Sequence, residues 1–155
     1  MSVSQGLSLA DYRALAEFRY QIRRFLRFSE EAARSAGIEP QHHQLMLAVK
    51  GMPAGKRARL ADLAERLQLH HNSIVELVGR LAEKGLVERH RDGKDRREVY
   101  VRLTGRGQRI LRDLTIYHRD ELRSTVPALA GAVSKLIARR PGSNQARVSR
   151  VRKKE

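Results

Sequence analysis

Cysteine is absent from the 155 residues of this chain. Its absence excludes a disulfide framework, a thiolate metal site, a thiol nucleophile and a thiol redox switch. Long hydrophobic runs are also missing. No window approaches the roughly 18 uninterrupted apolar residues of a membrane span, and the first residues lack the basic-then-apolar order of a signal peptide. We therefore expect a soluble, cytoplasmic protein that does not associate with membranes.

The sequence also lacks the common signatures of enzymes. It has no glycine-rich phosphate loop, nucleophile elbow, paired-carboxylate motif or zinc-protease helix. Its six histidines are His42, His43, His70, His71, His90 and His118. Neighbouring histidines on a helix diverge by about 100°, and no HxxxH spacing occurs. We therefore expect no enzymatic activity, no metal site and no cofactor.

Positive charge is the most abundant feature of the chain. It carries 32 Lys and Arg against 17 Asp and Glu, a formal charge of +15 with a sequence pI near 11.2. Such an excess predicts a polyanionic partner, with nucleic acid as the first candidate. Residues 139–155 hold seven Lys or Arg and one Glu, with no apolar periodicity. We expect this segment to be a flexible basic tail.

Helical periodicity dominates both ends of the chain. Apolar residues three and four apart predict a long helix over residues 9–36, ended by Gly37, and Pro40 opens a second helix over residues 40–51. The first helix has apolar residues on more than one face, which suggests that it packs against a second chain as well as its own core. This pattern indicates a dimer.

The middle of the chain has the spacing of a winged helix-turn-helix, over about residues 57–103. Two short helices, 60–67 and about 71–84, are joined by a tight link, and strands follow at 86–89 and 98–103 around a turn at 92–95. Thr104 is expected to cap a helix running to about Leu122, before a last apolar stretch at 126–137. The predicted fold is mainly α with a small β wing.

Four sequence pieces in this order carry a resemblance to a known family. They are LADLAERL, VGRLAEKGLVER, DGKDRR and VRLTGRG, within residues 60–111, and GIEPQHHQLMLAVKG at 37–51 adds to them. The chain resembles the multiple-antibiotic-resistance regulator (MarR) family of transcription factors over about residues 9–138. The resemblance implies one MarR-like domain over residues 1–138, a homodimer whose helices at about 9–36 and 104–138 interlock, and two winged helices presented to DNA.

The first turn of the second short helix holds the candidate readers of DNA bases. Asn72 can pair with adenine and Ser73 with several bases in the major groove, and His71 lies beside them. Val75, Glu76 and Arg80 share the outward face, where residues 75, 76 and 79 depart from the family pattern. Glu76 must accept from cytosine, pair with an Arg, or point away from phosphates. The alternative is that the polar residues only cap and solvate the helix start.

The hairpin between the strands concentrates cations that suit a narrow minor groove. These are Arg91, Lys94, Arg96 and Arg97. The resemblance implies that Arg97 is the residue inserted into the groove. It also implies that Asp95 fixes the wing through charged hydrogen bonds to Arg97 or Arg89. The alternative is a solvated, charged hairpin.

The resemblance also implies a small cavity that could hold an effector. His43 falls where relatives line a cavity between the dimer helices and the winged domain, with Met46 close by in sequence. Arg19 and Arg23, near Tyr12, could hold a carboxylate or phenolate. Core packing is the alternative for His43, and a snorkelling surface position is the alternative for the arginines. A small aromatic or anionic effector is the expected ligand.

These features predict a sequence-specific transcriptional regulator. We expect a dimeric repressor that binds double-stranded DNA at a palindromic operator and is released by a small effector. The alternative is a nonspecific or architectural nucleic-acid binder, favoured by the high charge and the basic tail. Its affinity would depend steeply on salt and little on sequence.

Overall fold

A computed structural model describes residues 7–91 and 97–138 of the chain. They form five helices and two strands, which fall into two compact units. We call Leu26–Glu121 the central unit, and Met1–Phe25 with Leu122–Glu155 the terminal unit. The elements are α1 (Leu9–Ser35), α2 (Pro40–Lys50), α3 (Leu60–Leu67), α4 (His71–Glu83), β1 (Val87–Arg91), β2 (Val99–Leu103) and α5 (Gly105–Ile137).

The central unit is built around one apolar core. Its fully buried side chains come from every helix and both strands of the winged helix-turn-helix. Leu45 and Met46 of α2, Leu63 of α3 and Leu81 of α4 each have 0% exposure. The apolar stripes read from the sequence therefore converge on one another, as amphipathic helices of a small domain must.

The turn between α3 and α4 depends on a residue in a left-handed conformation. Gln68 ends α3 with φ 53 and ψ 42. Its backbone N–H donates to the last turn of α3, and its side-chain Nε2 donates to the Glu65 carbonyl at 2.7 Å. A left-handed residue at a helix end turns the chain away from the helix axis. It also lets backbone N–H groups donate to the last helical carbonyls. The tight link predicted at 68–70 is thereby explained.

Glycine ends α4 and allows α5 to approach it closely. Gly85 has φ +67, and the amides of Gly85 and Leu86 donate to the carbonyls of Ala82 and Leu81, a Schellman arrangement. A Cβ on Gly107, in the first turn of α5, would lie 2.1 Å from the Leu86 carbonyl oxygen. Gly107, the second glycine of the VRLTGRG piece, is therefore required by the close approach of two backbones.

Two antiparallel strands form the wing. Val87 of β1 pairs with Leu103 of β2, and the register continues to Arg91 opposite Val99. The amide of Val101 also donates to the Ala58 carbonyl at 2.8 Å, so the segment before α3 lies along the other edge of β2. The strand predicted at 86–89 begins one residue later and runs two residues further than expected.

One expectation about α5 is wrong. The sequence predicts a helix that ends near Leu122, but α5 continues to Ile137 with Pro127 inside it. No glycine occurs between residues 122 and 126, and the absent N–H of a single proline removes only one helical hydrogen bond. Thr104 does cap the helix as expected, since its Oγ1 accepts from the Gly107 amide at 3.0 Å.

The terminal unit has little buried surface. Ser8 and Asp11 exchange hydrogen bonds at the start of α1, with Ser8 N donating to Asp11 Oδ2 at 2.8 Å. Ala14 and Ala132 are buried, but seven large apolar residues among the described residues of the unit are exposed. These exposed residues are Leu7, Leu9, Tyr12, Leu15, Tyr20, Val126 and Ile137. Across residues 7–91 and 97–138, no helix is long and apolar enough to cross a membrane.

Candidate nucleic-acid interface

Helix α4 has one buried face and one exposed face. Ile74, Leu77, Val78 and Leu81 point into the core. The six side chains that the sequence predicted to face DNA are all exposed, namely His71, Asn72, Ser73, Val75, Glu76 and Arg80. The spacing brings them to one helix surface because a helix repeats every 3.6 residues. Their contact with bases stays a prediction.

The start of α4 is open to an incoming group. His70 is the N-cap residue with extended backbone angles, and its side chain makes no capping hydrogen bond. A Ser or Thr at this position would accept from a first-turn amide. No acidic residue lies in the first turn of α4. The helix end therefore keeps a positive partial charge that suits a nearby phosphate.

Glu76 forms an ion pair on the outward face of α4. Its carboxylate accepts a hydrogen bond from Arg80 Nη2, one turn later. Of the three arrangements open to an acid in a DNA groove, the structure has the pairing with a neighbouring Arg. The pair neutralises the carboxylate, and it also engages the Arg80 guanidinium that was expected to contact DNA.

The structure describes the wing up to Arg91 and again from Arg97 onward. Arg97 is exposed, and Arg89 lies beside α4, with one guanidinium nitrogen 4.0 Å from the position of a Cβ on Gly79. Lys94, Asp95 and Arg96 lie outside the described residues. A cavity of about 450 Å³ separates α4 from the wing. Val75, Val78, Arg89, Arg91 and Val99 line it together with Leu60.

The wing carries a second group of cations that the sequence analysis did not select. Tyr100 of β2 has the Arg57 guanidinium 4.8 Å and the Arg102 guanidinium 5.2 Å from its ring centroid. The His90 ring stacks on Tyr100 at 5.5 Å. Arg59 pairs with Glu98 at 3.2 Å beside them. We call Lys56, Arg57, Tyr100 and Arg102 the outer wing patch.

The predicted effector residues divide between the two units. Tyr12, Arg19 and Arg23 are exposed residues of the terminal unit, whereas His43 and Met46 are buried in the central unit. None of the five cavities lined wholly by described residues includes any of these side chains. Met46 has 0% exposure and belongs to the apolar core. A ligand role for the five residues stays a prediction.

His43 packs against a second buried histidine. Its ring centroid lies 4.8 Å from that of His118, whose Nδ1 lies 2.7 Å from the Leu114 carbonyl and whose Nε2 lies 2.8 Å from Ser29 Oγ. A carbonyl only accepts, so Nδ1 of His118 donates to the Leu114 carbonyl. Burial, and then the charge of His118, lower the pKa of His43 to about 4. His43 is therefore neutral at pH 7.

The histidines are not assembled into a metal site in the part of the chain that the structure describes. Within residues 7–91 and 97–138, no group of three His, Asp or Glu side chains is placed to hold a metal ion. His42 forms a capping box with Glu39 at the start of α2, and burial is the main cause that lowers the pKa of His42. The geometry thus assigns a packing or capping role to His42, His43 and His118.

Comparison with known proteins identifies the segment that carries these features. The model of the MarR family matches residues 36–98, which contain α2, α3, α4 and β1. The segment with the winged helix-turn-helix is similar to the MarR family of transcription regulators. The family resemblance predicted from the four sequence pieces is confirmed, and no curated protein sequence matches the chain.

Solved structures of MarR proteins share the fold. AbsC of Streptomyces coelicolor, a MarR family transcriptional regulator, is 20% identical with a TM-score of 0.66, over 79% of this chain and 82% of AbsC. A MarR family protein of Bacillus stearothermophilus is 21% identical with a TM-score of 0.63, over 78% and 83%. A point mutant of MepR from S. aureus, bound to an oligodeoxyribonucleotide, is 22% identical with a TM-score of 0.56, over 71% and 79%.

These matches show the fold class. The predicted helical fold with a two-stranded wing is confirmed. MarR proteins are DNA-binding transcription regulators, in agreement with the expectation that the chain is not an enzyme. The outer wing patch had a signal in the sequence, because the alternation of β2 placed Tyr100 and Arg102 outward. The sequence alone could not assign Arg57 to this patch, since Arg57 lies 43 residues before Tyr100.

Proposed function

We propose that the protein is a homodimeric repressor that binds a palindromic DNA operator through α4 and the wing, and that a small effector releases it. One observation carries the proposal. The outward face of α4, with Asn72 and Ser73 in its open first turn, adjoins a wing that places Arg97 at its tip. This combination of a groove-sized helix and a cationic hairpin suits adjacent major and minor grooves.

The wing assignments remain part of the proposal. Arg97 is proposed to enter the minor groove, with Lys94 and Arg96 on the flanking phosphates. Asp95 and Arg89 are proposed to hold the hairpin in position by charged hydrogen bonds. The oligonucleotide complex of the MepR mutant supports DNA as the partner, because that protein shares this fold.

The terminal unit supports the homodimer. Leu15, Tyr20 and Ile137 are 48%, 54% and 72% exposed, and few large side chains of the unit are buried. A second copy would cover these residues at a two-fold interface, since clustered exposed apolar groups mark association sites. Two winged helices related by that axis would meet half-sites one turn of DNA apart, about 34 Å.

Release by an effector needs a ligand that favours one spacing of the two winged helices over another. Arg19, Arg23 and Tyr12 offer exposed cations and an aromatic ring for a small aromatic or anionic ligand. His43 and Met46 are buried, so a ligand that touches them must enter by opening the core. The one-domain organisation over residues 1–138 and the tail at 139–155 are likewise proposals, because the tail lies outside the described residues.

The test is competition binding measured by fluorescence anisotropy. Duplex DNA from the region flanking the protein's own coding sequence is labelled, and both that DNA and random duplex compete for it at two salt concentrations. The proposal expects a site that binds at least about 10³ times more tightly than random DNA. If no site is preferred there, selection from a random duplex library follows. A library that yields no enriched sequence would contradict specific binding.

The second candidate function is nonspecific, architectural binding of nucleic acid. The formal charge of +15 favours it. It expects equal competition by all duplexes and an affinity that falls steeply with salt. Deletion of residues 139–155 separates the contributions. The salt slope should become shallower if the tail binds phosphates, while the preference for the operator stays unchanged.

A further inference from the structure

The outer wing patch lies on the face of the wing that is turned away from the core. Val101 of β2 is 2% exposed and belongs to the apolar core, whereas its neighbours Tyr100 and Arg102 are respectively half-buried and exposed. Successive side chains of a strand point to opposite sides. The patch therefore occupies a different surface from the inner face that adjoins α4.

The patch has a surplus of positive charge. Two cavities of about 410 and 310 Å³ adjoin along it and share Lys56, Arg57 and Tyr100 in their linings. The second is also lined by Lys50 and Arg102. The acids of the first cavity are Asp62 and Glu98, and Glu98 is paired with Arg59. The lining thus attracts anions.

Tyr100 restrains the arginines of the patch. The guanidinium groups of Arg57 and Arg102 both lie over its ring, and the cation–π attraction restrains the two side chains. A restrained guanidinium loses less entropy when it binds a phosphate than a freely rotating one does. The arrangement suits phosphate binding more than it suits a simple solvated surface.

The polar character of the surface favours a polymer over a small ligand. Pockets for small molecules are mostly apolar and bury most of the ligand. Here the two cavities form a continuous cationic surface along one strand. Tyr100 and Arg102 follow Arg97 by three and five residues, so they lie about 10 and 17 Å along the strand from the proposed minor-groove residue.

We propose that the outer wing patch binds the phosphates of DNA that flanks each half-site, beyond the base pairs read by α4 and the wing tip. The inference rests on the proposed function, because it needs the wing tip on DNA. A reach of about 17 Å corresponds to about five base pairs at 3.4 Å each. The bound DNA segment should then extend by that length on each outer side.

The test compares short and long duplexes. Operator duplexes obtained by selection carry either 2 or about 10 flanking base pairs outside each half-site, the latter exceeding the reach estimated above. The wild-type protein should bind the long duplex about fivefold or more tightly and with a steeper salt slope. The Arg57→Gln, Arg102→Gln double variant should lose this gain and bind the short duplex like the wild type.

The control variant is Arg112→Gln with Arg119→Gln, which removes two exposed arginines of α5 and changes the net charge equally. It should keep the gain from the long flanks. Circular dichroism and thermal unfolding check that both variants fold. The inference is overturned if the patch variant keeps the gain or if it weakens binding to both duplexes equally. The proposed function fails separately, when the wild-type protein prefers no sequence in either length.

Discussion

The central and terminal units differ in how completely they bury their own apolar residues. The central unit encloses Leu45, Met46, Leu63 and Leu81 without exposure, whereas the terminal unit leaves Leu15 and six further large apolar residues exposed to solvent. Both contain amphipathic helical sequence. Under the proposed homodimer, the same hydrophobic pattern specifies an intramolecular core in one unit and an intermolecular surface in the other.

Matched substitutions in the two units should give the largest contrast. Leu81→Ala should lower the free energy of unfolding by about 2–5 kcal/mol, because it leaves a cavity in a closed core. Leu15→Ala should cost less than about 0.5 kcal/mol within one chain, as exposed substitutions do. It should instead raise the dissociation constant of the homodimer.

Urea unfolding at several protein concentrations, with analytical ultracentrifugation, measures both effects. Association contributes to the unfolding free energy of a dimer in a concentration-dependent way, so the concentration series separates the two terms. The comparison breaks down if Leu15→Ala leaves the dimer dissociation constant unchanged. It also breaks down if Leu81→Ala is no more destabilising than Leu15→Ala.

Protonation of histidines should lower the stability of the central unit, because all six histidines lie in that unit. The folded pKa of His43 is lowered to about 4, whereas the unfolded value is near 6.5. The unfolded chain therefore binds the extra proton first. The stabilisation is complete above about pH 6.5 and is lost as the pH falls toward 4, by about 1–3 kcal/mol.

The measurement is urea unfolding at pH 7, 6 and 5. His43→Gln removes the titrating group, so its unfolding free energy should fall less over this range than that of the wild type. His42→Gln should flatten the curve in the same direction, since burial also lowers the pKa of His42. Equal slopes in the wild type and His43→Gln would show that the buried ring does not couple folding to protons.

A substitution in the DNA-facing surface should leave both units folded and change only recognition. Asn72→Ala removes an exposed side chain from the first turn of α4. We expect a loss of about 1–3 kcal/mol on the operator and almost none on random duplex, because a base contact carries the sequence information. Anisotropy titrations on both DNAs measure it. Equal losses on the two DNAs would make Asn72 a phosphate-binding or structural residue.

The parts of the fold that were predicted correctly depend on local patterns. The apolar stripes of α3 and α4, the tight link between them and the alternation of β2 can each be read within about ten residues. The helical expectation failed at the end of α5, which continues past Leu122 to Ile137 with Pro127 inside it. A proline costs one hydrogen bond, and an otherwise helical sequence tolerates that loss.

The parts that could not be predicted are contacts between distant residues. Tyr100 with Arg57, and His118 with Ser29 and His43, join residues 43 to 89 positions apart. Neither periodicity nor motif spacing contains that information. Gly107 of VRLTGRG can be seen in the sequence. The reason for a glycine there is the approach of α5 to the Leu86 carbonyl, which only the fold shows.

The smallest expected effect concerns the turn of the helix-turn-helix, and it tests whether the central unit is locally strained. Gln68 has φ 53, a conformation that costs about 1 kcal/mol for a residue with a Cβ. Gln68→Ala keeps this strain and removes the exposed hydrogen bond to Glu65, so it should lower the unfolding free energy by about 0.5 kcal/mol. Gln68→Gly loses the same bond but relieves the strain. Thermal unfolding should therefore rank Gly above Ala, and the reverse order would show that the turn holds no strain that glycine relieves.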